Sequence, residues 1–187
     1  MKKILLIIVI VAAFSGQTNA QRYLTGQQGI QVSFGAVNGI NPERTFYLGA
    51  VIATYTKKGS HWVFGGEYLQ YRLEYRLVQI PVYQFTAEGG YYYGLLSDPR
   101  KKLLLSIGVS GLAGYETINW GNKMLYDGAS LMNQDAFLYG GALTLELETY
   151  ITNRIVLLVN ARERMLRGSS TGNLSTQLGA GIKIIIN

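Results

Sequence analysis

The 187-residue chain contains no cysteine, which removes disulfide frameworks, thiolate metal sites and lipoprotein anchors from consideration. Its net charge of +6 comes from 17 Lys and Arg against 11 Asp and Glu, scattered and not gathered into a basic tract, so no direct binding of nucleic acid is expected. With 23 glycines, 14 tyrosines and 3 prolines, and no apolar run long enough for a transmembrane helix, the composition suits strands that close a barrel in a membrane.

Residues 1–20 read as an export signal. Lys2 and Lys3 precede an apolar run from Ile4 to Phe14, and Thr18-Asn19-Ala20 offers small residues to a signal peptidase. As a helix that run spans about 16 Å, too short for a hydrocarbon core of about 30 Å. Cleavage after Ala20 leaves 21–187, which shows no repeat, linker or low-complexity tract and is predicted to be a single β-barrel domain.

Eight strands follow. The first, Gly29 to Ala36, alternates Ile30, Val32 and Phe34 with Gln31 and Ser33, and ends at an Asn38-Gly39 and Asn41-Pro42 turn. The second, Arg44 to Thr56, is apolar on both faces, with Phe46, Leu48 and Ile52 on one and Tyr47, Val51 and Tyr55 on the other, so its lipid-facing side is not legible. A tight Lys57-Lys58-Gly59-Ser60 turn leads to the third, His61 to Tyr71, where Trp62, Phe64 and Tyr68 oppose Gly65 and Glu67. The polar stretch Arg72 to Gln79 is predicted to be one of the longer connections.

In the fourth strand, Pro81 to Tyr93, Tyr83, Phe85 and Ala87 oppose Gln84, Thr86 and Glu88, and Ser97-Asp98-Pro99 closes it. The fifth sets a row of Leu103, Leu105, Ile107 and Val109 against Ser106, Gly108, Ser110 and Glu116. Asn119 to Asp135 is predicted to be the longest loop. Ala136 to Ile151, the sixth strand, then forms a hairpin with the seventh through Thr152-Asn153-Arg154. A three-residue loop pairs Ile151 with Ile155, sets Glu146 opposite Asn160 and Thr144 opposite Arg162, and keeps charges and aliphatics on separate faces. A two-residue loop would put Glu146 beside Val159. The eighth strand alternates Leu178, Ala180, Ile182, Ile184 and Ile186 with Gln177, Gly179, Gly181 and Lys183.

The predicted fold is therefore all-β, an eight-stranded antiparallel up-and-down barrel of outer-membrane type, with short periplasmic turns, longer outer loops and both termini periplasmic. Its alternation turns Glu67, Glu88, Glu116, Glu146, Glu148, Arg162, Arg164 and Lys183 into the lumen. Eight strands leave an interior just wide enough for side chains, so a structural network of charges is favoured over a conduit or ligand site. The pair Glu146 and Glu148 could serve acid–base chemistry, yet neighbouring arginines give it a simpler role in ion pairing. His61, with Ser60 and Glu67 near in sequence, admits a lipid- or peptidoglycan-acting hydrolase as an alternative, but its predicted place at a periplasmic turn arranges no relay. A soluble periplasmic cup for an apolar ligand is the other alternative. The lone histidine leaves no multi-histidine metal site, and no cofactor is expected. Lys57-Lys58 and Arg100-Lys101-Lys102 read as solvated turns, and Asn173-Leu174-Ser175 matches the short glycosylation sequon.

The segments PVYQFTAEGGYY, LLSDPRKK, LSIGVSGLAGYETINWG, DAFLYGGALTLELETYITNRIVLLVNARER and QLGAGIKIIIN, with GGEYL at Gly65 to Leu69, resemble the conjugal transfer protein TraO family of Bacteroidetes conjugative transposons. The resemblance runs over nearly the whole chain. It implies a part in the conjugative DNA-transfer apparatus at the outer membrane, with membrane lipid and other transfer proteins as partners. It brings no catalytic motif. The terminal Asn187 departs from the aromatic residue that usually ends outer-membrane barrels.

Overall fold

The computed structural model describes residues 24–39, 45–75, 78–99, 102–119, 135–170 and 172–186. The predicted signal at 1–20, the predicted Asn41-Pro42 turn, Arg100-Lys101, most of the predicted loop between the fifth and sixth strands, and Asn187 lie outside them. Eight strands close on themselves: β1 (Gln28–Val37), β2 (Thr45–Tyr55), β3 (His61–Tyr75), β4 (Val78–Ser97), β5 (Leu103–Ile118), β6 (Ala136–Tyr150), β7 (Ile155–Arg167) and β8 (Leu174–Ile185). Each pairs antiparallel with its sequence neighbours, and β1 pairs with β8 to complete the barrel. Closure leaves no unpaired sheet edge within the barrel wall.

The β6–β7 register sets Glu146 opposite Asn160 and Thr144 opposite Arg162, as the three-residue loop requires. The loop is held by its own side chain. Thr152 Oγ1 accepts from the Arg154 and Ile155 amides at 3.2 and 3.0 Å, while the Ile151 amide donates to Ile155 O.

Inside and outside follow the pleat. On the outer face stand residues such as Leu103, Ile107, Val109, Leu143, Leu145 and Leu157, and between them Ser106, Ser110, Thr144, Glu146 and Leu158 point inward. The second strand is resolved in the same way: Phe46, Leu48 and Ile52 are exposed, whereas Tyr47, Ala53 and Tyr55 are buried.

The polar stretch after the third strand is not a long connection. β3 runs on to Tyr75 and β4 begins at Val78, with Tyr75 opposite Val78. The last pair of β3 with β2 is at Tyr71 and the last of β4 with β5 at Val82, so Arg72–Tyr75 and Val78–Pro81 form a two-stranded ribbon beyond the barrel wall. Pro81 is tolerated there because, among the described residues, no strand pairs with the ribbon on the β4 side.

Candidate functional site in the lumen

Short connections at 56–60, 98–102 and 151–154 lie at the end that also holds both described termini, the turn end; the opposite, loop end carries the ribbon. An apolar layer closes each end of the interior. Tyr55, Leu104, Tyr150, Val156 and Ile185 cluster at the turn end. Val37, Tyr47, Leu69, Tyr71, Ile80, Val82 and Ile118 cluster at the loop end.

Between these layers the charged side chains form three groups. Nearest the turn end, the Tyr55 hydroxyl donates to both Glu148 oxygens at 2.9 and 2.8 Å. The Lys183 ammonium contacts Glu148 Oε1 and lies 3.5 Å from Glu146 Oε1. Gln31 Nε2 donates to Glu146 Oε2 at 3.0 Å. His61 completes this group: it is fully buried, with Nε2 3.6 Å from Glu146 Oε1 and its ring between those of Tyr55 and Tyr92. This corrects its expected place at a solvated turn. The turn ends at Ser60, and His61 is the first inward residue of β3.

At mid-height Arg162 grips Glu88 with both guanidinium nitrogens, at 2.9 and 2.8 Å, and reaches Glu67 at 3.3 Å. Its Nε donates to Thr144 at 3.0 Å and its NH2 to the Tyr92 hydroxyl at 2.8 Å. Glu67 also pairs with Arg164 NH1 at 2.9 Å and accepts from Gln177 Nε2 at 2.8 Å. Arg162 is therefore partnered with Glu88 and Glu67, not with Glu146, whose cation is Lys183. The bidentate planar fit suits the guanidinium.

Toward the loop end Glu116 is held by uncharged donors, Gln84 Nε2 at 2.7 Å, Ser169 Oγ at 2.9 Å and the Ser170 amide at 2.9 Å. At the rim, outside the wall, the Tyr115 hydroxyl donates to Asp135 at 2.6 Å and holds that carboxyl below the usual carboxylate range.

Glycine makes the interior fit. A Cβ on Gly108 would press into the Tyr92 ring, and one on Gly179 would overlap the Tyr47 hydroxyl where it donates to Asn160 Oδ1 at 2.8 Å. A cavity of about 10 Å³ lined by Tyr47, Glu67, Glu88 and Arg162 remains at mid-height, room for about one water. Among the described residues the lumen is a filled interior.

Sequence reasoning named the eight charged residues but missed Gln31, Tyr55, Tyr92 and Gln177, which bond to them, and the Tyr47–Asn160 pair beside them. Their inward parity was the available signal. A hydrolytic relay is not assembled: His61 Nδ1 lies 3.2 Å from Gly59 O, and Ser60 Oγ accepts from the Gly94 amide at 3.3 Å.

An apolar belt around a charged, filled interior defines an eight-stranded barrel of outer-membrane type. Residues 24–186 match the model of the family described as conjugative transposon protein TraO, and the chain belongs to that family. No curated protein matches it. Among solved structures, Neisserial surface protein A (NspA) is 12% identical, with 85% of this chain and 97% of that one covered at a TM-score of 0.52, which shows a shared fold. The N-terminal β-barrel domain of Pseudomonas aeruginosa OprF is 13% identical, covering 86% and 98% at a TM-score of 0.49. The outer membrane enzyme PagL is 10% identical, covering 84% and 99% at a TM-score of 0.39.

Proposed function

We propose that the protein is a non-enzymatic outer-membrane component of the conjugative DNA-transfer apparatus. Residues 1–20 direct export, the barrel sits in outer-membrane lipid, and other transfer proteins are its partners. The family carries the conjugative part of this reading. The observation that carries the membrane part is the inverted arrangement of the barrel: large apolar side chains encircle it while Glu67, Glu88, Glu116, Glu146, Glu148, Arg162, Arg164 and Lys183 face inward. Soluble monomers rarely expose apolar patches beyond a few hundred Å², and a soluble cup for an apolar ligand would reverse the two faces. Basic side chains at the midplane of the outer face would cost about 2–4 kcal/mol each.

The filled lumen favours a wall-embedded scaffold over a channel for DNA. The hydrolase alternative loses support from His61, which is sealed inside with Nδ1 held by Gly59 O and Nε2 facing Glu146. Two experiments test the proposal. Carbonate and urea washes should leave the mature protein in the outer-membrane fraction; release with soluble periplasmic proteins rejects the membrane reading. Deleting the gene should lower transfer of its element, and both the wild-type chain and Ser60→Ala should restore it. Failure of Ser60→Ala at a normal protein level would revive the enzyme.

A further inference from the structure

The group nearest the turn end contains a contact that its present partners do not explain. His61 Nε2 and Glu146 Oε1 are both buried, neither has a hydrogen-bond partner, and they face one another at 3.6 Å. Gly59 O can only accept, so His61 Nδ1 donates to it. In a neutral ring this leaves a lone pair on Nε2, aimed at a carboxylate oxygen. Two acceptors facing each other in a dry interior repel unless a cation lies between them.

We propose that His61 Nε2, Glu146 Oε1 and a Glu148 carboxylate oxygen form a buried site for one divalent cation of zinc type. One ligand atom from each of His61, Glu146 and Glu148 lies within 4.8 Å of the others. Two ligands of a tetrahedral ion at about 2.0–2.1 Å stand about 3.3–3.4 Å apart, which the 3.6 Å gap nearly meets without rearrangement. Lys183 Nζ lies 3.5 Å from Glu146 Oε1 and touches Glu148, as the counter-charge beside the ligand set.

Charge favours binding. Glu146 and Glu148 outweigh the Lys183 ammonium by one negative charge. When the ion binds, the neutral imidazole and the two carboxylates give it lone pairs, and the carboxylates offset its two positive charges. No bond within the chain breaks and no electron is transferred. Mixed imidazole and carboxylate donors in a dry pocket suit zinc better than the oxygen-seeking calcium or magnesium ions. The outer contacts that orient such ligands are present: Gly59 O holds the imidazole, Gln31 holds Glu146 and Tyr55 holds Glu148. The apolar layer at the turn end seals the group, so the ion enters as the barrel folds.

The test uses the tag-free mature chain, unfolded in urea with chelator, desalted, and refolded into detergent micelles with equimolar zinc chloride. After gel filtration against a chelator, elemental analysis should find about one zinc per folded barrel. His61→Gln and Glu146→Gln, confirmed as folded by heat-dependent gel mobility, should hold less than about a tenth of that. Zinc in the wild-type chain at or below the level of these variants overturns the site and leaves a doubly protonated imidazole as the neighbour of Glu146. Because the variants could fail to fold, the wild-type chain is also refolded with cobalt chloride. An intense visible absorption of tetrahedral cobalt is expected, and only the weak spectrum of hydrated cobalt refutes the proposal.

Discussion

Removing the guanidinium at the centre of the lumen should reveal which carboxylate depends on it. Arg162→Met keeps the length of the side chain and deletes five donors. Glu88 is then left with the Tyr92 hydroxyl at 3.4 Å, whereas Glu67 keeps Arg164 and Gln177. The uncompensated buried charge is therefore that of Glu88, and breaking such a pair costs about 3–5 kcal/mol. Adding Glu88→Gln removes the charge and should leave a deficit of about 1–2 kcal/mol, the net value of one or two lost hydrogen bonds. Adding Glu67→Gln instead should recover little. The stabilities are measured by folding into lipid vesicles and titrating with urea, with the fluorescence of the exposed Trp62 as the signal. If Arg162→Met costs under about 1 kcal/mol, or if Glu67→Gln rescues as well as Glu88→Gln, the assignment of partners is wrong.

Three further outcomes follow from the wall and its turns. Leu145 is exposed on β6 between Ile107 and Ala161, midway between Tyr139 and the Tyr150 end, so Leu145→Arg should cost about 2–4 kcal/mol in vesicles while Leu145→Ile stays near neutral; a harmless arginine would invert the strand faces. Gly108→Ala pushes a methyl into the Tyr92 ring and should cost about 1–3 kcal/mol by urea titration, with no loss expected if that ring lay elsewhere. Thr152→Ala removes the acceptor shared by two amides in the β6–β7 turn and should cost about 1 kcal/mol, whereas Thr152→Ser should retain most of the stability.

Strand number, order and most facing could be read from period-two alternation because one face meets apolar surroundings and the other is polar. Where both faces are apolar the signal vanishes. β2 is such a strand: Tyr47 and Tyr55 point inward to the apolar layers at the ends of the lumen and Ala53 to a cluster with Val63 and Tyr92, so the inner row matches the outward row in hydrophobicity. The ribbon was hidden for the opposite reason. Arg72 and Glu74 resemble a loop by composition, although Tyr71, Leu73 and Tyr75 keep the strand period beside them. The partner of Arg162 was out of reach of a hairpin register, which specifies neighbours on adjacent strands only. Glu88 lies across the barrel on β4, and only the closed wall brings it to β7.

That last geometry bears on how the chain assembles. Arg162 on β7 meets Glu88 on β4, Arg164 on β7 meets Glu67 on β3, and Lys183 on β8 meets Glu148 on β6. Gln31 on β1 reaches Glu146 on β6, and Tyr55 on β2 reaches Glu148 there too. No isolated hairpin contains both members of these pairs, so an open sheet would carry naked charges at the moment it met hydrocarbon. Intermediates of that kind lie high in free energy. On the membrane reading proposed above, the wiring across the lumen would make insertion cooperative, with the strands crossing together because each brings charges whose partners lie on distant strands.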